Sequence, residues 1–176
     1  MLLISLMEVP KKEQRNHAHN LLRECLKTRK INYITDQTPI TRGEHGKPSL
    51  AEYPEIMYNM SHANGIAVCL MTDRECGVDC EGVRPYRPNV VKRAFSDSEK
   101  QLIENAPESE RDLLFFRLWT LKEAYVKAIG IGISYPLNTV EFSFEGNKIT
   151  TSVEGYKFRQ YILKDGKFVV SVCIKK

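Results

Sequence analysis

Hydrophobic positions along the chain follow helical spacing in some segments and strand spacing in others, and the order of these segments outlines a fold. Apolar residues of segment 11–29 recur three and four positions apart, which predicts a helix behind a short N-terminal strand. Two apolar runs, 56–60 and 66–72, are separated by Asn64-Gly65, a sequence typical of hairpin turns. The first half is therefore predicted to be strand, helix and antiparallel strands.

The second half repeats this order. A short helix at 90–95 is followed by Ser96-Asp97-Ser98-Glu99, a capping box that opens a helix reaching about Asn105. The longest helix starts near Glu108 and stops at Gly130. Four strands follow, with one of their turns at Glu145-Gly146-Asn147: 139–144, 148–153, 156–163 and 168–174. We predict an α+β fold with a possible duplication, divided at the proline-broken connector into 1–84 and 85–176.

Composition restricts the class of protein. With 42% hydrophobic and 27% charged residues, the 176-residue chain reads as a soluble globular protein. No apolar run is long enough to span a bilayer. The apolar segment at residues 1–10 is too short for a signal peptide and has no basic residues before it, so we expect a cytoplasmic protein. The five cysteines are expected to be reduced thiols. A net charge of +4 suits an anionic partner, such as a nucleotide or an acidic protein, and is too weak to indicate nucleic-acid binding.

One line of side chains on the longest helix changes from apolar to ionic. Residues four apart share a helix face, so Phe115, Trp119, Glu123 and Lys127 align. A carboxylate beside an ammonium can hold a metal, move a proton and neutralise an anionic substrate. The alternative is a solvated pair that only stabilises an exposed helix.

Further candidates lie in the first half. If Cys76–Glu81 is a strand, Asp79 and Glu81 project from one face and suit Mg²⁺ first and Mn²⁺ second, unless they form only an exposed acidic edge. The glycine-rich loop 41–48 could seat phosphate at Lys47 or be an ordinary surface loop. Ser61 and His62 lie at a strand end without a hydrolase nucleophile elbow, and a structural role remains open for them.

Four motifs occur together in an order that resembles the 4'-phosphopantetheinyl transferases of the longer, single-chain type. They are Gly46-Lys47-Pro48, Asn59-Met60-Ser61-His62, Gly77-Val78-Asp79-Cys80-Glu81 and the Trp119–Lys127 segment, and the resemblance covers about residues 17–145. It implies transfer of the phosphopantetheine arm of coenzyme A to a serine of an apo acyl or peptidyl carrier protein, with release of adenosine 3',5'-bisphosphate. It also implies two halves related by a pseudo-twofold axis, for which a monomer suffices.

The same resemblance implies roles for individual residues. Asp79, Glu81 and Glu123 would hold Mg²⁺, and Glu123 could also deprotonate the carrier serine. Lys127, and to a lesser degree Lys122, would contact phosphate. Lys47, Ser61 and His62 would hold the nucleotide end of coenzyme A. The longest members of the family have a basic N-terminal arm that helps to bind the nucleotide, and here it would be reduced to Arg15, His19 and Arg23. Cys80 stands where an aliphatic residue is commoner in the family, on the packed face of the strand.

Two other classes remain open from the residues. A Mg²⁺-dependent phosphohydrolase or nuclease would use similar carboxylates with water as acceptor, and a non-catalytic module would bind acidic carriers through its basic surface. The carrier itself is not specified by the sequence, and hydrophobic residues near 90–95 could form its docking face or belong to the core.

Overall fold

A computed structural model describes residues 1–146 and 148–176. Its helices are α1 (Lys11–Lys27), α2 (Pro88–Ala94), α3 (Asp97–Asn105) and α4 (Glu108–Ile129). Its strands are β1 (Leu2–Leu6), β2 (Ile40–Arg42), β3 (Pro48–Leu50), β4 (Met57–Ala63), β5 (Ile66–Thr72), β6 (Cys76–Gly82), β7 (Phe142–Glu145), β8 (Lys148–Thr151), β9 (Tyr156–Leu163) and β10 (Phe168–Lys175).

Two antiparallel three-stranded sheets form the centre of the molecule. The N-terminal sheet has the order β1-β5-β4, and the C-terminal sheet has the order β6-β10-β9. In the first, Ser61 of β4 pairs with Val68 of β5, and in the second Asp79 of β6 pairs with Ser171 of β10. Two small hairpins, β2-β3 and β7-β8, complete the strands.

The two sheets share one apolar layer and carry a helix on each outer side. Alternate residues of β5, β6 and β10, among them Val68, Val78 and Val170, form a single buried cluster between the sheets. The other face of β5 packs with α1 through Leu22 and Leu26. The other face of the C-terminal sheet packs against α4, because side chains of a strand alternate between its two faces. Each sheet therefore has one face on the shared layer and one on its own long helix.

Most of the predicted elements are confirmed. The capping box at Ser96 is formed in both directions with Glu99, and Gly130 ends α4 in the left-handed conformation at φ 73°. All five cysteines are buried and free. The loop 41–48 was predicted to be irregular throughout, but its two ends form the short β2 and β3. Asn147, in a predicted turn, lies outside the described residues.

The predicted division at residue 84 stays a prediction, although the pairing of strands bears on it. β6 precedes this point in the chain, yet it hydrogen-bonds to β10 of the C-terminal sheet along its whole length. By hydrogen bonding, β6 thus belongs with the C-terminal half, and the side chains of the candidate site on β6 are carried by the same sheet that supports α4.

Across the described part of the chain, no helix combines the length and the apolar character needed to cross a bilayer.

Candidate functional site

The backbone of α4 lies directly on β6, and glycine is the reason that it can. A Cβ atom placed on Gly77 would lie 2.0 Å from the carbonyl oxygen of Ala124 and 2.4 Å from the backbone nitrogen of Ala128. Ala124 and Ala128 are one helical turn apart and fully buried, so three small residues form the contact. Because Gly77, Asp79 and Glu81 share one face of β6, this contact brings the two carboxylates of the strand beside α4.

Three carboxylates, Asp79, Glu81 and Glu123, lie at this junction and are called the acidic cluster below. Asp79 is buried, and Glu81 and Glu123 are half-buried. Burial raises the pKa of Glu123, and the neighbouring charge of Asp79 raises it further. Burial also raises the pKa of Glu81, which is partly opposed by its hydrogen bond with Arg84. The ionised forms of these carboxylates are therefore poorly solvated, and a bound cation would stabilise them.

The ammonium group of Lys127 lies at one side of the acidic cluster. Its Nζ is 2.6 Å from Oδ1 of Asp79 and 3.0 Å from Oγ of Ser61, and the Ser61 hydroxyl donates to the same Oδ1 at 2.8 Å. Burial opposes the charge of this ammonium, but Asp79 and Glu123 outweigh it and raise the pKa of Lys127. Oδ1 of Asp79 thus receives two hydrogen bonds within the protein.

The second oxygen of Asp79 differs from the first in its surroundings. Among the described residues, Oδ2 of Asp79 is the one buried side-chain nitrogen or oxygen that lacks a hydrogen bond. A buried carboxylate oxygen without a partner is costly unless a cation or a donor meets it. No three His, Cys, Asp or Glu side chains of the described chain already surround a metal-sized position. The unpartnered oxygen and the hard oxygen donors beside it nevertheless fit a divalent cation such as Mg²⁺.

Lys122 does not belong to this site, which corrects its predicted contact with phosphate. Its side chain is fully buried in the C-terminal core, with Nζ 2.7 Å from Oε2 of Glu99 and 2.8 Å from the carbonyl oxygen of Leu137. A further hydrogen bond goes to the carbonyl oxygen of Val140. Glu99 in turn accepts from the backbone nitrogens of Ser96 and Phe142. Lys122 therefore joins α3, α4 and the segment before β7.

Lys47 was predicted to hold the nucleotide end of coenzyme A, and that role stays a prediction. Its ammonium donates to the backbone oxygens of Cys76 and Ala128, at the start of β6 and near the end of α4. Burial lowers the pKa of this lysine. Lys47 therefore ties the hairpin of the first half to the C-terminal half and does not line the cleft described next.

A cleft of about 630 Å³, called the N-terminal cleft below, lies between α1, the β2-β3 hairpin and β4. Its charged and aromatic lining includes Arg15, His19, Tyr33, Arg42 and His62. Burial lowers the pKa of His62, and the charge of the nearby Lys127 lowers it further. His62 follows Ser61, which contacts Asp79 and Lys127, so β4 connects the cleft to the acidic cluster.

Sequence reasoning missed Tyr33 and Arg42 in this cleft. Both lie in or next to irregular segments where no hydrophobic period applies, and only their charge or aromatic character offered a signal. Of the basic arm, Arg15 and His19 line the cleft, whereas Arg23 donates to the backbone oxygen of Tyr33 and to Asn20.

A smaller cavity of about 230 Å³ borders the acidic cluster at Glu81. Glu81, Arg84, Tyr86 and Trp119 are among its lining residues. Trp119 stacks on Phe115 with ring centroids 6.1 Å apart, so the aromatic part of the predicted helix face forms a wall of this cavity. The smaller cavity therefore reaches the acidic cluster at Glu81 and combines aromatic and charged lining.

The fold and site define an α+β protein with a charged centre where a strand of one sheet meets its covering helix. Residues 75–173, which include β6, α4 and β10, match the model of the 4'-phosphopantetheinyl transferase superfamily. The chain belongs to this superfamily.

Curated relatives agree with the match. A 4'-phosphopantetheinyl transferase of Bacillus subtilis is 30% identical over 148 residues, which cover 80% of this chain and 66% of the relative. The transferase psf-1 of Bacillus pumilus is 35% identical over 95 residues, which cover 54% of this chain and 41% of the relative. The chain thus spans only part of the length of the relatives that it matches. A solved holo-(acyl-carrier-protein) synthase of Bacillus anthracis has 18% identity and a TM-score of 0.49, and the match covers 57% of this chain and 94% of that one.

Proposed function

We propose that this protein transfers the 4'-phosphopantetheine arm of coenzyme A to a serine of an apo acyl or peptidyl carrier protein and releases adenosine 3',5'-bisphosphate. The observation that carries the proposal is the meeting of Asp79 and Glu81 on β6 with Glu123 and Lys127 on α4, within a chain of this superfamily. Similarity to the named transferases supports it.

The acidic cluster is the proposed site of Mg²⁺. Asp79, Glu81 and Glu123 would hold the ion, and the unpartnered Oδ2 of Asp79 supports this assignment. When bound, a divalent cation would neutralise charge on the pyrophosphate of coenzyme A. A chelator should then abolish turnover, and activity that persists in excess chelator would contradict the assignment.

Glu123 and Lys127 are the proposed catalytic residues. In the transfer, the serine oxygen forms a bond to the phosphorus that carries pantetheine, and the bond from this phosphorus to the oxygen bridging to the nucleotide breaks. Burial raises the pKa of Glu123, which suits a carboxylate that accepts the serine proton. Lys127 would donate to a phosphate oxygen and stabilise charge on the departing bisphosphate. Neither role requires a covalent enzyme intermediate.

The N-terminal cleft is the proposed seat of the nucleotide end. His62 lines this cleft, and Arg15 and Arg42 supply positive charge in it. The bisphosphate portion of coenzyme A is anionic, and guanidinium groups bind phosphate through paired donors. Lys47 and Ser61 were predicted to take part here, but their hydrogen bonds within the protein favour structural tasks.

The partners follow from the same reaction. Coenzyme A would be the co-substrate and an apo carrier protein the acceptor. The two sheet-and-helix halves within one chain are consistent with a protein that works as a monomer, which native mass spectrometry would test.

Mass measurement of carrier proteins tests the proposal directly. The protein is incubated with coenzyme A, Mg²⁺ and a panel of apo carriers from fatty acid, polyketide and peptide synthesis, and each carrier is weighed. A gain of one phosphopantetheine on at least one carrier, lost with Glu123→Gln, is expected. Consumption of coenzyme A with no modified carrier would instead favour a phosphohydrolase, in which water is the acceptor.

A further inference from the structure

Two side chains of β4 meet the edge of β6 that is not covered by β10. Oδ1 of Asn59 accepts a hydrogen bond from the backbone nitrogen of Val78 at 2.9 Å. Two residues further along β4, the hydroxyl of Ser61 donates to Oδ1 of Asp79. Asn59 and Ser61 are both buried and lie on the same face of β4 because they are two positions apart. This edge of β6 is thus attached to β4 by side chains.

The hydrogen bonds of Asp79 distinguish its two oxygens. Oδ1 accepts from both Ser61 and Lys127, whereas Oδ2 is buried and has no partner among the described residues. A carboxylate gripped at one oxygen cannot rotate freely about its last bond. Its second oxygen is then presented in one fixed direction.

We infer that Ser61 is a positioning residue of the divalent-cation site, which holds Oδ1 of Asp79 so that Oδ2 is the oxygen offered to the ion. The inference rests on the proposed function, because it requires that a cation binds at the acidic cluster. Residues that hydrogen-bond to a metal ligand orient it, and their loss commonly lowers metal affinity by roughly 10- to 100-fold. Ser61 would act on the ion through Asp79.

The position of Ser61 supports a role at Asp79, and its predicted contact with the nucleotide stays a prediction. Only 8% of the residue is exposed, and its hydroxyl proton is already directed to Asp79. The next residue, His62, is exposed and lines the N-terminal cleft. Since side chains alternate along a strand, Ser61 and His62 serve opposite sides of β4. Only Ser61 is therefore expected to affect binding of the ion.

Binding of Mn²⁺ and of adenosine 3',5'-bisphosphate, each measured separately, tests this division. Mn²⁺ is titrated without nucleotide and followed by electron paramagnetic resonance, and the bisphosphate is titrated without metal by calorimetry. Ser61→Ala should weaken Mn²⁺ binding by roughly tenfold or more. His62→Ala should leave Mn²⁺ binding unchanged and weaken binding of the bisphosphate. Ser61→Thr keeps the hydroxyl and should bind Mn²⁺ within about threefold of the unmodified protein.

Three results would overturn the role of Ser61, and a fourth would overturn the metal site itself. Unchanged Mn²⁺ affinity in Ser61→Ala, or a loss of bisphosphate affinity alone, would overturn the inference while the metal site stands. Equal losses in Ser61→Ala and Ser61→Thr would overturn it too, because the hydroxyl would not be the determinant. If the unmodified protein binds no Mn²⁺, the proposed metal site itself fails, and that result is distinguishable from the other three.

Discussion

Gly77 of β6 and Ala124 of α4 are in such close contact that a single methyl group on the glycine would overlap the helix backbone, since its carbon would lie 2.0 Å from the Ala124 oxygen. Helix and strand can approach this closely only where both sides are small. The distance between the acidic side chains of β6 and the Glu123–Lys127 face of α4 therefore depends on a residue that has no side chain.

Gly77→Ala should destabilise the protein and disturb the site together. Overpacking in a tight core costs about 1 to 3 kcal/mol, and here the obstacle is backbone that cannot rotate away. We expect a loss of stability in this range or above it in urea unfolding, with weaker Mn²⁺ binding in the folded fraction. Gly43→Ala is the matched control, since its nearest neighbour would be 3.9 Å away, and it should change stability by less than about 0.5 kcal/mol. Equal effects of the two substitutions would contradict this account of the contact.

Lys122→Ala should destabilise the protein strongly without a direct effect on chemistry. Removing one member of a buried ion pair leaves the other charge unpaired, which costs about 3 to 5 kcal/mol. Lys148→Ala, which breaks an exposed pair with Glu145, should cost no more than about 1 kcal/mol. Thermal unfolding of both variants checks this. A Lys122→Ala protein of normal stability that turns over poorly would restore the predicted phosphate contact.

Glu123→Gln should abolish turnover while preserving or raising stability. Burial and the charge of Asp79 disfavour the ionised form of Glu123, so a neutral isostere removes an unfavourable charge from the metal-free protein. The measurements are carrier modification by mass spectrometry and urea unfolding in chelator. A variant that is clearly less stable than the unmodified protein in chelator would show that Glu123 is held by favourable contacts instead.

Stability should depend on pH through His19. Burial lowers the pKa of His19 below its ordinary value of 6.5, and Arg15 adds to this effect, with Arg23 and His62 in the same direction and Asp36 opposing. The unfolded chain therefore takes up this proton more readily than the folded protein. The stabilisation is fully present above about pH 6.5 and is lost as the pH falls through the folded value.

The pH dependence is measured by comparing the free energy of unfolding of the unmodified protein and His19→Gln between pH 5 and pH 8. The unmodified protein should lose stability more steeply on the acid side than the variant does. The hydrogen bond between His19 Nδ1 and the Tyr33 hydroxyl, 2.6 Å long, suits a neutral ring that accepts. Parallel curves would contradict the lowered pKa.

Local patterns were sufficient for the elements and for part of the site. Helical spacing located α4 and the alignment of Glu123 with Lys127, strand alternation placed Asp79 and Glu81 on one face and Cys80 on the other, and the capping box located the start of α3. These features depend on the geometry of a single helix or strand, which is repeated every 3.6 or 2 residues and can be read from the chain.

Only the tertiary structure decided which group each charged side chain contacts. Lys122 and Lys127 are five residues apart on one helix and thus project roughly 140° apart, and no local pattern indicates which direction meets Glu99 and which meets Asp79. Lys47 and Ser61 likewise belong to recognisable motifs, yet their hydrogen-bond partners lie on β6 and α4, between 18 and 81 residues away in the chain. The sequence by itself determined which side chains share a face, because that depends on neighbouring residues; the packing of α4 and β4 against β6 determined which charges meet.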